Sequence, residues 1–190
     1  MGDLPRVLIS NPDWLNDIVD WSQRLTSDDD RMRLAVRLAR ENVERETGGP
    51  FGAIVVERES GAVVGAGVNS VVRLQNCTLH AEMVAIMMAQ QRRESYTLNA
   101  PNLPVHELVT SCDPCAMCLG AALWSGVRRI VCGAAREDAT KLQFEEGPVF
   151  PQSYAYLRER GIEIARGVLR QEASQVLELY RSKRGPIYNA

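Results

Sequence analysis

The pentapeptide Pro114–Cys118, with the sequence PCAMC, and the upstream tripeptide His80–Glu82, with the sequence HAE, decide how this chain is interpreted. Each lies where hydrophobic periodicity predicts the start of a helix. On a helix, Cys115 and Cys118 stand three positions apart on one face, and the positive end of the helix dipole favours their thiolate forms. The pattern therefore predicts that two helix starts meet at a metal ion.

His80 supplies the third ligand in this interpretation. Three protein ligands leave the fourth tetrahedral position of zinc for water, which distinguishes a catalytic site from a closed structural one. Glu82 is then a nonligand carboxylate, placed to take a proton from that water and return it to a departing group. Because side chains two residues apart diverge on a regular helix, His80 and Glu82 converge only if the site lies beyond the helix N-terminus. The paired H-x-E and P-C-x-x-C pattern is that of zinc nucleobase deaminases.

Composition limits the class of protein. The chain has 190 residues, 45% of them hydrophobic and 24% charged, which predicts one globular domain with a core. A net charge of -2 makes nucleic acid an unlikely partner, and the lack of a long apolar run predicts no membrane span and a cytoplasmic location. Five cysteines are an odd number, so reduced thiols or metal ligands are favoured over a disulfide scaffold.

The order of predicted elements indicates an α/β domain. Helical spacing over Asp13–Leu25 predicts a helical N-terminal extension, at about residues 11–26. A second helix from about Arg31, capped by Ser27, ends before Gly48. The predicted strands lie at 53–58, 62–67, 105–110, 129–132 and 162–165, and the later helices at 79–93, 114–125 and 171–183. We expect a core at about 31–146 and a helical C-terminal tail at about 151–190, all within one domain over residues 1–190.

The two motifs resemble the cytidine deaminase superfamily over roughly residues 31–146. Further segments resemble its bacterial guanine deaminase branch in particular: Gly49–Ala53, Asn69, Thr110–Ser111, Cys118–Ala121, Phe144–Glu146 and Ile187–Ala190. The resemblance implies a three-layer α/β/α fold with a mixed central sheet. It also implies hydrolytic deamination of a free base, guanine to xanthine and ammonia, with the aminotriazine ammeline as a further substrate.

The same resemblance implies roles for individual residues. Glu146 becomes an additional proton shuttle, Phe51 and Phe144 sandwich the planar base, and Asn69 hydrogen-bonds the ring edge. One zinc ion is expected per subunit of a homodimer. Because C-terminal segments of the family reach the neighbouring subunit, Tyr188 would complete the partner's pocket.

Alternatives remain open at this level. A tRNA adenosine deaminase and a cytosine deaminase share the core motifs, and the basic segments 90–93 and 181–184 keep the tRNA alternative open. A noncatalytic zinc module would close the fourth coordination position with Cys112 or Cys77. Cys112 could also form half of a disulfide. We expect Cys77 and Cys132 to be small buried hydrophobic residues, and His106 to be an exposed or edge residue.

Overall fold

The structure is a computed structural model that describes residue 4 and residues 6–188. Its sheet is mixed, with five strands in the order β2-β1-β3-β4-β5. The strands are β1 (Gly52–Glu57), β2 (Val63–Val68), β3 (His106–Cys112), β4 (Arg129–Ala134) and β5 (Glu163–Arg166). The helices are α1 (Leu15–Ile18), α2 (Asp28–Glu44), α3 (Val71–Leu74), α4 (Ala81–Arg92), α5 (Ala116–Ser125), α6 (Arg136–Thr140), α7 (Pro151–Glu159) and α8 (Arg170–Ser182).

The directions of the strands determine the edge of the sheet at which the site lies. Strand β1 is antiparallel to both β2 and β3, whereas β3, β4 and β5 run parallel. Consequently β2, β3, β4 and β5 all end at the same edge, where β1 begins. In open α/β sheets, ligands bind outside the carboxyl ends of the strands. The register runs straight across the sheet through the row Ala66, Ile54, Val109, Val131 and Ala165.

Helices cover both faces of the sheet, as the predicted three-layer α/β/α architecture requires. Side chains alternate along each strand, so Ile54 and Val109 face the layer of α2 and α8, whereas Val55 and Leu108 face the layer of α4 and α5. Cys132 is buried in this second core, as predicted. Within the described part of the chain, no helix has the length and apolar character that a membrane span requires.

Glycines on β2 let α4 approach the sheet closely. A Cβ atom on Gly67 would lie 2.4 Å from the backbone oxygen of Ala81, and one on Gly65 would lie 2.3 Å from that of Ala85. Real Cβ atoms do not make contacts this short, so only glycine fits at either position. This packing fixes the start of α4 relative to the sheet.

The N-terminal extension differs from its prediction. Only Leu15–Ile18 is helical in the segment predicted as a helix, and Val19 already has an extended backbone. The Asp20 carboxylate accepts hydrogen bonds from the backbone and the hydroxyl of Ser22, at 2.9 and 2.6 Å, which favours a turn over a further helical turn. The apolar residues of this segment are still core residues, since Trp14, Leu15, Val19 and Leu25 are buried.

Candidate active site

The two motifs meet beyond two helix N-termini. His80 is the N-cap residue of α4 and has an extended backbone, with φ -67° and ψ 158°. Cys115 occupies the same position on α5, with φ -69° and ψ 175°. His80 lies outside the helix and Glu82 in its first turn, and both residues line the same cavity, so the condition for their convergence is met. The second helix begins at Ala116, two residues later than predicted, since Cys115 is extended.

The donor atoms of the three predicted ligands lie together. The Nδ1 atom of His80 is 3.5 Å from Sγ of Cys115 and 3.6 Å from Sγ of Cys118. A tetrahedral zinc ion with ordinary Zn–S and Zn–N bond lengths separates sulfur from nitrogen by about 3.6 Å. The donor set and its spacing therefore fit zinc. Among the described residues, these three form the group of side chains that could hold a metal ion.

The two thiols differ in proton affinity. The hydrogen bond from Cys118, and then that from His80, lower the pKa of Cys115 to about 4 against the opposing effect of burial. The bond to Cys115 and burial raise the pKa of Cys118 well above its usual value. Burial disfavours charge on His80, but the bond to Cys115 and nearby carboxylates outweigh it and raise its pKa. A metal ion bound here would displace protons from Cys118 and His80, so its affinity depends on pH.

Two carboxyl groups lie beside the ligands. Glu82 is only 6% exposed, and burial followed by the Cys115 thiolate raises its pKa. Burial, Cys115 and Glu82 raise the pKa of Glu146 to about 8. A bound dication would offset the thiolate charge and lower both pKa values again. The backbone oxygen of Glu146 accepts a hydrogen bond of 3.0 Å from the amide of Ala116, which holds this residue against the start of α5.

These groups line a cavity of about 300 Å³ that also contains every predicted substrate contact. Asn69, directly after β2, is buried, and its Nδ2 atom has no hydrogen-bond partner among the described residues. The hydroxyl of Tyr188 is also buried without a partner. Two unpaired polar atoms in a partly apolar cavity are expected to pair with a polar ligand, because leaving them unpaired costs free energy.

The aromatic residues form one wall of the cavity. The rings of Phe51 and Phe144 contact each other directly, with centroids 5.1 Å apart and an interplanar angle of 72°. This is the spacing of a single edge-to-face pair, which leaves no room for a base between the rings. Both rings line the cavity, and a sandwich around a base would require them to separate, so the sandwich stays a prediction.

Tyr188 closes the cavity of its own chain in this structure. Its ring lies 5.2 Å from that of Phe144, and burial raises the pKa of its hydroxyl well above the usual value. The hydroxyl occupies the space that a side chain on Gly49 would take, since a Cβ atom there would lie 1.9 Å away. The last two residues of the segment that resembles guanine deaminases, 189 and 190, lie outside the described residues.

Two predictions about the remaining cysteines and histidine are wrong. Cys77 is exposed at the cavity mouth, not buried, because it lies in the turn after α3. His106 is fully buried, since β3 lies between β1 and β4, and its Nδ1 atom is 2.9 Å from the backbone oxygen of Leu98. Cys112 ends β3, as predicted, and its Sγ atom is 3.8 Å from the backbone oxygen of Ala135. All five cysteines are free thiols.

The sequence interpretation missed Asp113, a cavity residue between Cys112 and the helix-starting segment. Its buried carboxylate pairs with the guanidinium of Arg166 on β5 and accepts a bond of 3.2 Å from the amide of Arg136. These contacts anchor the loop that presents Cys115. An acidic residue between the predicted end of a strand and the helix-starting Pro114 is the signal that could have identified it.

Comparison with known proteins identifies the family. Residues 25–134 match the sequence profile of the cytidine and deoxycytidylate deaminase zinc-binding region. The chain belongs to this deaminase family. A guanine deaminase of Bacillus subtilis is 36% identical over 131 residues, which cover 69% of this chain and 80% of that protein. A tRNA-specific adenosine deaminase of Buchnera aphidicola is 31% identical over 71% of this chain and 82% of its own length.

The solved structures extend the similarity to almost the whole chain. The crystal structure of a guanine deaminase from Nitrosomonas europaea shares 37% of its sequence and superposes with a TM-score of 0.88. The match covers 96% of this chain and 98% of that one. Within the deaminase family, the chain therefore belongs to the guanine deaminase branch, and its α/β fold is that of the family.

Proposed function

We propose that this protein is a nucleobase deaminase that hydrolyses free guanine to xanthine and ammonia. The observation that carries the proposal is the position of the Glu82 carboxyl group, which is buried beside a three-residue ligand group at the base of the cavity. His80, Cys115 and Cys118 would hold zinc, one ion per subunit. When bound, zinc would act as a Lewis acid that lowers the pKa of water toward neutrality.

The remaining chemistry falls to the carboxyl groups. Glu82 takes a proton from the attacking water and delivers it to the ring nitrogen next to the carbon that carries the amine. Glu146 then protonates the amine, the C–N bond breaks and ammonia leaves. The hydroxyl group left on the ring carbon returns a proton to Glu146 as the carbonyl forms. Burial in the cavity wall disfavours charge on Glu146 and so favours the acid form that this role requires. The exchange of water for ammonia needs no other reactant.

Substrate recognition is assigned to the cavity walls. The amide of Asn69 offers a donor and an acceptor in one plane, which matches the ring edge of a planar base. Phe51 and Phe144 provide an aromatic wall, and Tyr188 covers the base from the C-terminal segment. Ammeline presents a similar planar edge and remains a predicted further substrate.

A coupled ammonia assay with the zinc-loaded protein tests the proposal. The panel contains guanine, guanosine, adenine, cytosine, cytidine and ammeline, and we expect guanine to be turned over fastest. Glu82→Ala should keep its zinc and lose at least about 100-fold in turnover, since it removes the proton transfer and not a ligand. Guanine turnover by that zinc-loaded variant at the wild-type rate would overturn the mechanism.

The tRNA adenosine deaminase alternative predicts inosine in a tRNA anticodon loop, which the same protein preparation can be assayed for. The net charge of -2 and the position of Tyr188 over the cavity support the free base instead. The alternative of a noncatalytic zinc module required a fourth ligand from Cys112 or Cys77. Neither thiol joins the ligand group of the described residues.

The outer face of α5 supports the expected homodimer. This helix contains no charged residue, and Met117, Gly120, Ala121 and Trp124 follow one another at the spacing of a single face. The Trp124 side chain is 83% exposed, and a Cβ atom on Gly120 would meet nothing within 4 Å. An uncharged helix face with an exposed tryptophan is typical of a protein–protein interface. The cytoplasmic location stays a prediction of the sequence.

A further inference from the structure

The side chain of Asn42 on α2 links two loops that line the cavity. It is 0% exposed, and its Nδ2 atom donates hydrogen bonds to the backbone oxygens of Gly49 and Asn69, at 2.8 and 2.9 Å. Its Oδ1 atom accepts a bond of 2.8 Å from the hydroxyl of Thr47. Both amide hydrogens and the amide oxygen are therefore engaged, which is what a buried amide requires.

The orientation of this amide is fixed by a residue of the N-terminal extension. The indole Nε1 atom of Trp14 lies 3.2 Å from the hydroxyl oxygen of Thr47, and an indole can only donate. The hydroxyl of Thr47 thus accepts from Trp14 and directs its own hydrogen to Oδ1 of Asn42. The amino group of Asn42 is left to face the two backbone oxygens, which can only accept.

These bonds hold the main chain of Asn69 at both of its polar groups. Its amide donates to the backbone oxygen of Phe51 at 3.0 Å, and its carbonyl accepts from Asn42. Its Nδ2 atom has no partner among the described residues and lines the cavity. Its Oδ1 atom accepts a bond of 3.4 Å from the amide of Val71, so the backbone is fixed and the amino group of the side chain stays available to a ligand.

We infer that Asn42, oriented by Thr47 and Trp14, is a positioning residue for substrate recognition by Asn69. The inference rests on the proposed function, in which the Asn69 amide contacts the ring edge of the base. Trp14 precedes the segment 25–134 that matches the family profile, so the N-terminal extension contributes to the substrate site through this chain of hydrogen bonds.

A matched pair of variants at Thr47 tests the orienting step. Thr47→Val keeps the shape of the side chain but removes the hydroxyl, whereas Thr47→Ser keeps the hydroxyl. We expect Thr47→Val to lower kcat/KM about tenfold, mainly through KM, because Asn42 loses the bond that orients it. Thr47→Ser should stay within about twofold of the wild type. Equal kinetics of the two variants would overturn the inference.

A double-mutant cycle tests whether Asn42 acts through Asn69. Asn42→Ala should lower kcat/KM by about tenfold to 100-fold in the wild-type background and by less than about threefold when Asn69 is already alanine. The zinc content of each variant is measured by chelator colorimetry and should not change. Equal losses in both backgrounds would mean that Asn42 only supports the fold, which would overturn the inference. If Asn42→Ala does not fold, the Thr47 pair decides.

The cycle is run with whichever base the wild-type protein turns over fastest. A fastest substrate other than guanine would overturn the substrate assignment, while the coupling between Asn42 and Asn69 would still be measured with that base. Guanine turnover without coupling would overturn only the positioning role. A wild-type protein that turns over no base in the panel would overturn both.

Discussion

The substitution Gly67→Ala tests how the packing of α4 controls the metal centre. A Cβ atom at this position on β2 would lie 2.4 Å from the backbone oxygen of Ala81 and 2.5 Å from the backbone nitrogen of Ala85. Ordinary van der Waals contact begins at 3.4 Å, so the start of α4 must move by about 1 Å. Neither contact atom belongs to a flexible side chain that could turn aside.

Two losses follow from this displacement. Overpacking of this kind costs about 1–3 kcal/mol, which lowers the Tm of a chain this long by about 2–4 °C for each kcal/mol. Zinc ligands tolerate deviations of only about 0.2 Å, and His80 directly precedes the displaced residue Ala81. We therefore expect zinc affinity to fall by about tenfold to 100-fold.

Gly65→Ala is the matched control. Its Cβ atom would lie 2.3 Å from the backbone oxygen of Ala85, one turn farther along α4 from His80. We expect a similar fall in Tm, measured by thermal unfolding in excess chelator, but a smaller loss of zinc affinity, measured by chelator competition. Equal zinc affinities for the two variants would refute the reasoning, as would an unchanged Tm for Gly67→Ala.

Further predictions concern the ligands, the helix face and acid stability. Cys112→Ala should retain zinc, whereas Cys115→Ala should lose more than about 100-fold in zinc affinity by chelator competition; zinc lost in both would show that the ligand set is wrong. Trp124→Glu should abolish self-association in light scattering, and a monomeric wild type would contradict the dimer. The hydrogen bond from Arg170 lowers the pKa of Asp138 in the folded protein below its usual value of 3.8. The carboxylate therefore stabilises the fold above pH 3.8, and this contribution is lost as the pH falls through the pKa of the folded state. Asp138→Asn should flatten the acid side of the stability curve, measured by urea unfolding, and an unchanged curve would contradict the assignment.

The architecture could be predicted from the sequence because the strand segments fit few other kinds of secondary structure. The fully buried run of β2 is uniformly apolar, and the two motifs mark the starts of α4 and α5. The extension around Trp14 was predicted as a helix because its apolar spacing fits one. Its real conformation depends on local side-chain bonds at Asp20, which periodicity does not report.

Long-range polar contacts were the part of the site that could not be predicted. His106 and Asn42 are polar residues whose hydrogen-bond partners include Leu98 and Asn69, which lie in other elements of the chain, so their burial depends on the finished fold. One signal for Asn42 existed, since it falls seven residues after Ala35 and four after Leu38, on the buried stripe of α2. A polar residue on such a stripe indicates a buried hydrogen-bonding role.

Because α4 runs across the sheet, His80 and Cys115 are far apart along the chain but close together in space. This helix starts at the edge of the ligands and ends at Arg92, so residues 93–105 turn back at the opposite edge before β3 returns the chain to Cys115. Insertions or deletions at the exposed positions of that return loop would leave the ligand geometry unchanged. The number of residues between His80 and Cys115 is therefore free to drift among related sequences, and a search that fixes this interval would overlook relatives with the same metal centre.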